Sequence, residues 1–254
     1  MGANKLYKYL DVNGGLMMLS NSNLQFTNVT QLNDPFDCHP SLIVFSNVPS
    51  ERCMVWPAED ISSLESNRYR RNRENAWICS LSKVQDSLLM WSYYNKHQGV
   101  CIGLDMEKTR FYVSRMMGRI MGCFECDVQY KDVVEKPDYF RGPNDFFHYQ
   151  MTTKAKVWEH EQEVRLVFLE PSPYYMMLSP NQSDEEGPIP WQEVRAFLPI
   201  GAECFDSLYL GVSIEKKFKS KMKELAIRCN PAIKIYQMAI DPDAFKLKEV
   251  LISE

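Results

Sequence analysis

Long apolar runs are missing from this 254-residue sequence, in which no stretch approaches the roughly 20 apolar residues of a membrane-spanning helix. The opening MGANKLYKYL has no apolar signal core, and Leu6 stands where a myristoylation signal after Gly2 needs Ser or Thr. Histidine is scarce: His39, His97, His148 and His160 form no H-E-x-x-H or other paired spacing. Gly14 and Gly15 complete neither a G-x-G-x-x-G nor a Walker loop, which removes the Rossmann and P-loop readings. The serine-hydrolase signal G-x-S-x-G is absent as well. Nor is there an excess of positive charge, since 29 Lys+Arg against 33 Asp+Glu leave a net charge of −4. A surface that coats nucleic acid in general is thereby excluded, although a local basic patch is not. The eight cysteines are irregularly spaced and too sparse for a secreted disulfide scaffold. The expectation is a reduced, soluble, cytoplasmic protein.

What is present is ordinary globular material, 45% hydrophobic and 24% charged, enough to bury a substantial core. KLYKYL (5–10) alternates as a first strand, Leu16, Met17 and Leu19 suggest a short helix or turn, and Leu24–Thr27 a second strand. QLNDPFDCHP (31–40) is turn chemistry, in which Asn33, Asp34 and Pro35 favour bends. A helix is expected over 58–75, a buried strand at AWICSLS (76–82), and a helix at SLLMWSYYNKH with Asp86 as its N-cap. VCIGL (100–104) reads as a strand and 107–121 as a helix, while the five prolines in 170–190 mark a long loop. SLYLGV (207–212) is an apolar strand, followed by an amphipathic helix with Phe218, Met222, Leu225, Ala226 and Cys229 on one face. AIKIYQMAID and KLKEVLI close the chain as strands. With no repeat and no compositional break, the fold class is α+β: one domain over 1–254, its mixed or antiparallel sheet flanked by helices.

The segment EHEQEVRLVF (159–168) carries the chemistry. In a strand, alternate residues share a face about 7 Å apart, so Glu161, Glu163 and Arg165 line one side while Val164, Leu166 and Phe168 face the core. The plain structural account is an exposed face on which Arg165 neutralises its neighbours. The functional account is a pair of carboxylates in a cleft, suited to steadying an oxocarbenium-like sugar centre and to proton transfer. Cys123 and Cys126 form a C-x-x-C without a second ligand pair, so two thiols at a helix–strand junction are expected rather than a metal site. The run Arg68–Arg73 reads as a solvated helix face flanked by Glu65 and Glu74, and Trp91, Tyr93, Tyr94, Tyr7 and Tyr9 as core aromatics unless they border a pocket.

LYKYL (6–10), LQFTNVTQLNDPFD (24–37), CSLS (79–82), LMWSYYNKHQGVCIGLD (89–105), VQYKD (128–132) and KVWEHEQEVRL (156–166) occur in that order. Together they resemble a bacterial domain-of-unknown-function family marked by N-D-P-F, M-W-S-x-Y…G-V-C-I-G-x-D and W-x-x-E-x-E-x-R, over nearly the whole chain. One departure is Tyr93, which stands where the family usually carries His before the Tyr. A looser resemblance is to ADP-ribosyltransferases, which join a first-strand residue, a Ser-x-Ser strand and an E-x-E at a split sheet. Lys8/Tyr9, Ser80-Leu81-Ser82 and Glu161-Gln162-Glu163 follow that order.

That second resemblance implies cleavage of NAD at the nicotinamide–ribose bond. Tyr7 or Tyr9 and an aromatic from the 91–94 segment (Trp91, Tyr94) would sandwich nicotinamide, and Ser80 or Ser82 would order the wall. Glu163 would hold the ribose 2′-hydroxyl, Glu161 the acceptor, and Arg165 would keep Glu163 ionised, with Asn33 and Asp34 contacting the cofactor. The partner implied is a nucleotide-type small molecule with a macromolecular acceptor, in the setting of a bacterial toxin or phage-defence effector. Two other classes stay open: a nucleotide- or partner-binding module without turnover, and a nucleotide or nucleic-acid hydrolase holding a divalent metal on Glu161, Glu163, Asp34 and Asp37.

Overall fold

The computed structural model describes residues 4–117, 123–141, 145–170, 191–192 and 194–253. In chain order the elements are β1 (Lys5–Leu10), α1 (Val12–Asn21), β2 (Asn23–Asn28), α2 (Ala58–Glu74), β3 (Ala76–Ser82), α3 (Leu88–Asn95), β4 (Val100–Asp105) and α4 (Met106–Met117). There follow β5 (Cys123–Asp127), β6 (Gln129–Lys131), α5 (Phe146–Thr152), β7 (Thr153–Ala155), β8 (Glu163–Leu169), β9 (Trp191–Gln192) and β10 (Arg195–Pro199). The chain closes with β11 (Phe205–Leu210), α6 (Lys216–Cys229), β12 (Lys234–Ile240) and β13 (Leu247–Ser253). The expected strands and helices are therefore present in an α+β arrangement. The loop expected at 170–190 falls almost wholly outside the described residues, as does the end of the helix expected over 107–121.

The main sheet runs β13-β12-β11-β4-β1-β3-β2-β10-β9, and β8 and β5 extend it from β3. It is mixed: β11 and β12 are parallel, the other neighbours antiparallel. β3 pairs along its whole length with β8, from Ala76 opposite Leu169 to Ser82 opposite Glu163. Its other edge is shared, with Thr27 and Asn28 of β2 facing Ile78 and Trp77, and Tyr7 of β1 facing Ser82. The sheet is split there. The Lys8 ammonium donates to the Ser80 carbonyl at 2.9 Å within the fork, satisfying an acceptor to which neither strand is paired.

One face of the sheet is covered by α1, α4 and α6, whose Met18, Leu19, Val113, Met222 and Leu225 join Val164, Leu166 and Phe168 of β8. On the other face, Met90 and Trp91 of α3 pack with Tyr9, Cys101 and Tyr209, and Met151 of α5 packs with Ile78 and Val167. A strand covered on both faces can use nearly any position for burial, which explains the near-continuous apolar run in β8.

Three local expectations need correction. Arg165 is 0% exposed, so its side of β8 is not a solvent face. The α3 N-cap is Ser87, whose hydroxyl accepts from the Met90 amide, because the helix starts one residue later than Asp86 requires. Cys123 and Cys126 both lie on β5 and point to opposite faces, an odd spacing on a strand, so one packs with the Val164 cluster and the other beside Val167. They cannot ligate one metal from those positions. The Arg68–Arg73 run lies on α2, with Arg68, Arg70 and Arg71 exposed as expected of a solvated face.

Candidate functional site

The N-D-P-F turn begins the site. Asp34 Oδ1 accepts the Phe36 amide at 2.9 Å and the Asp34 carbonyl accepts that of Asp37, which coils the chain tightly. Cys38 follows in a left-handed conformation, φ 54°, and its carbonyl accepts from Gln150 on α5. The turn thereby delivers Asp37, 2% exposed, into the interior.

There it meets Arg165. The guanidinium donates Nη1 to Asp37 Oδ1 at 2.8 Å and Nη2 to Asp37 Oδ2 at 2.6 Å. Toward its own strand it donates Nε to Glu163 Oε1 at 2.8 Å and Nη2 to Glu163 Oε2 at 2.9 Å. Nη1 also reaches the Met151 carbonyl at 2.7 Å, so each guanidinium nitrogen has an acceptor. Two bidentate pairs on one cation make this the rigid centre of the site.

Lys154 forms the second half. Its ammonium bonds Glu161 Oε2 closely, Glu163 Oε2 at 3.0 Å, and lies 3.7 Å from Asp37 Oδ2. The Trp158 ring covers it at 5.3 Å. Glu161 Oε1 accepts the Tyr94 hydroxyl at 2.5 Å, and Tyr94, 40% exposed, is where the cluster approaches solvent. Three carboxylates, Asp37, Glu161 and Glu163, thus face two cations. The formal balance is one negative charge in excess.

Burial by itself pushes the Glu163 carboxyl up, but the charges of Arg165 and Lys154 outweigh it and hold the group well below the usual carboxylate range. Ser80 adds a hydrogen bond that also favours the ionised form. For Lys154, burial opposes the charge while Glu163, Asp37 and Glu161 raise the ammonium above its ordinary value. Such a lysine stays protonated and is not a nucleophile. Burial first, and the Glu161 charge second, push the Tyr94 phenol well up, so it remains a donor.

The acid pair is also not the strand pattern expected. Glu161 ends a 3-10 turn, Gln162 is left-handed at φ 44°, and only Glu163 opens β8. The two carboxylates converge on Lys154 because the backbone kinks between them, not because strand residues two apart share a face.

Of the other expected residues, Ser80 reaches Glu163, and Ser82 donates to the Glu161 carbonyl at 2.7 Å. Tyr9 connects indirectly: its hydroxyl donates to the Val84 carbonyl, and the Val84 amide donates to Ser82 Oγ. Tyr9 and Trp91 contact each other edge-to-face at 5.5 Å, and the buried indole donates to the Gln85 carbonyl, leaving no gap between these two rings for nicotinamide. Tyr7 is half-buried against Tyr209 in the same aromatic cluster. Asn33 is exposed, and Asp34 is turned into its own bend. A divalent ion on Glu161, Glu163, Asp34 and Asp37 does not fit this donor set, because Lys154 and Arg165 occupy the space between the carboxylates. Lys154 lies outside every motif quoted above, and Tyr130, whose hydroxyl accepts the Glu163 amide at 2.8 Å, sits inside VQYKD without a role read from it. The available signal was charge arithmetic: one arginine cannot neutralise three converging acids.

The chain matches no family model, and no curated protein or solved structure is similar enough to be paired with it.

Proposed function

We propose that the protein cleaves NAD at the nicotinamide–ribose bond and transfers ADP-ribose to water or a macromolecular acceptor, as an ADP-ribosyltransferase-like enzyme. The supporting observation is the meeting of Lys8, the Ser80–Ser82 strand and the Glu161–Glu163 pair at the fork of a split sheet, where the buried carboxylates of Asp37, Glu161 and Glu163 converge. A cationic sugar centre is the kind of ligand that converging carboxylates favour. As the glycosidic bond breaks, its electron pair stays on the pyridinium nitrogen and releases neutral nicotinamide. The ribose carbon becomes oxocarbenium-like until an acceptor oxygen or nitrogen bonds to it and loses its proton. Because Tyr94 is the exposed edge of the cluster, Glu161 takes the role nearest the ligand, and Glu163, gripped by Arg165, fixes its orientation. Tyr94 then contacts the ligand.

Among the described residues no helix is long and apolar enough to cross a membrane. The eight unpaired cysteines support a cytoplasmic setting, and a toxin or phage-defence effector is the role the family resemblance implies. The experiment is incubation with NAD and quantification of free nicotinamide for the wild type, Glu161→Gln and Glu163→Gln. Release by wild type and loss in Glu161→Gln are expected; no release across a panel of acceptors, or release by Glu161→Gln equal to wild type, ends the proposal.

One observation favours a second reading, a nucleotide-binding module without turnover: both Glu163 oxygens are already engaged by Arg165 and Lys154. In that case NAD raises the melting temperature while no nicotinamide appears.

A further inference from the structure

β6 and β7 stand apart from the main sheet as a two-stranded parallel ladder of three residues each, and the middle residues Tyr130 and Lys154 face one another in register. A pair this short has little stability of its own. Yet both central side chains end on the same target. Tyr130 takes the backbone amide of Glu163, and Lys154 takes the carboxylates of Glu161 and Glu163.

We propose that this ladder is a positioning device for the acid pair: Tyr130 pins the kinked backbone and the Lys154 ammonium holds the Glu161 and Glu163 carboxylates at a fixed spacing. The idea deepens the NAD-cleavage reading and rests on it for its catalytic part only. The geometry excludes the other common uses of a buried lysine. Its ammonium already contacts two carboxylates with a third nearby, and Trp158 covers it, so it offers no free electron pair to a carbonyl.

The charged and titratable groups around the pair come from every side. Arg165 belongs to β8, Asp37 and Cys38 to the turn, and Tyr94 to α3, while Cys79 lies on β3 and Cys126 on β5. Tyr130 is on β6, and His160 adjoins Glu161 in the chain. Arg165 serves Glu163 and Asp37 but makes no contact with Glu161. Lys154 is therefore the cation on which Glu161 depends.

Replacing Lys154 by methionine keeps the apolar stem and removes the charge. Three buried carboxylates are then left facing Arg165 alone, so the cluster is expected to take up a proton in the folded state that the unfolded chain does not hold as tightly. A raised carboxyl contributes stability at low pH that is lost as pH rises through the folded pKa. The melting temperature of Lys154→Met is expected to fall between about pH 5.5 and 8, while that of the wild type stays level. The fall is roughly 3–5 °C for each tenfold by which the folded cluster binds that proton more tightly than the unfolded chain does. Lys154→Arg is expected to restore the level profile in part. The double variant Lys154→Met/Glu161→Gln, which removes both charges, should also be level, and it keeps the test alive if the single variant fails to fold.

Nicotinamide release by Lys154→Met is expected to be at least about tenfold slower than wild type near pH 6 and to recover as pH rises. A uniform drop in melting temperature at every pH overturns the proposal, as does a slope that persists in the double variant. If wild type releases nicotinamide and Lys154→Met keeps the wild-type pH profile, the catalytic part falls. If no variant releases any, the NAD reading fails while the melting profiles still decide the role of Lys154.

Discussion

Arg165→Met removes the cation that joins Asp37 to Glu163 and replaces it with an apolar chain of similar length. Arg165 is 0% exposed, and its partners Asp37 and Glu163 are 2% and 4% exposed, so water cannot take its place. Breaking one partner of a buried ion pair destabilises by about 3–5 kcal/mol, because the remaining charge is left uncompensated. Here two carboxylates lose two bidentate contacts, and the Met151 carbonyl loses a donor whose absence costs about 1–3 kcal/mol more. Lys154 remains near both acids and absorbs part of that loss, so the net effect is about 4 kcal/mol. Against a total stability of about 5–15 kcal/mol, such a variant is close to unfolding. Urea denaturation followed by tryptophan fluorescence measures it, and with a slope near 3 kcal/mol/M the midpoint drops by more than about 1 M. Arg165→Lys, which keeps the charge but not the fork of donors, should fall between the two. A midpoint within about 0.3 M of wild type for Arg165→Met would refute the claim that this network holds the fold.

Acid sensitivity follows from Glu163, whose folded pKa is depressed. Its stabilisation is fully present above the unfolded carboxyl range and is lost as pH falls through the folded value, so wild type should lose stability in acid and Glu163→Gln should show a shallower acid limb in the same urea assay. Gly99→Ala places a Cβ 2.2 Å from the Leu10 carbonyl oxygen, a backbone atom that cannot swing aside, and is expected to destabilise by about 1–3 kcal/mol in thermal melts; an unchanged melting temperature would show that the β1–β4 junction is looser than described. Burial pushes the Cys123 and Cys126 thiols up to about 12, and Cys38, Cys79, Cys101 and Cys204 are buried as well, leaving Cys53 and Cys229 half-exposed. Mass spectrometry after brief iodoacetamide treatment of the folded protein should find label on those two alone, and rapid labelling of Cys123 or Cys126 contradicts the placement of β5.

Much of the secondary structure was legible because it rests on local periodicity. The alternation of KLYKYL, the apolar run AWICSLS and the apolar stripe of the helix beginning at Lys216 each survive in place as β1, β3 and α6. The acid pair was legible as a location but not as a geometry. Nothing in E-H-E-Q-E signals that Gln162 turns left-handed, since the kink follows from packing around Lys154 rather than from a local preference. Lys154 was out of reach, and Asp37 was legible only as a metal ligand beside Glu161 and Glu163, because they lie 11 and 128 residues from Arg165 and join it only through the tertiary fold. Arg165 itself misled, because an arginine alternating with glutamates looks like a solvent face until strands on both sides and a turn above enclose it.

Under the proposed reading that enclosure bears on chemistry as well as on stability. If structure were the sole requirement, apolar side chains of the same volume would do as well or better, since a buried ion cluster seldom outperforms a well-packed apolar core. The cluster is instead graded. At its inner end Arg165 is saturated and immobile; at its outer end Glu161 rests on a phenol from a half-exposed helix and on one ammonium. Under the proposed reading a ligand enters past Tyr94 and competes for its 2.5 Å bond to Glu161, while Arg165 continues to hold Glu163 through two donors. Tyr94, 40% exposed, is the member of the network that reaches water, while Glu161 and Glu163 behind it are 3% and 4% exposed, so any ligand of the acids has to come by way of that phenol.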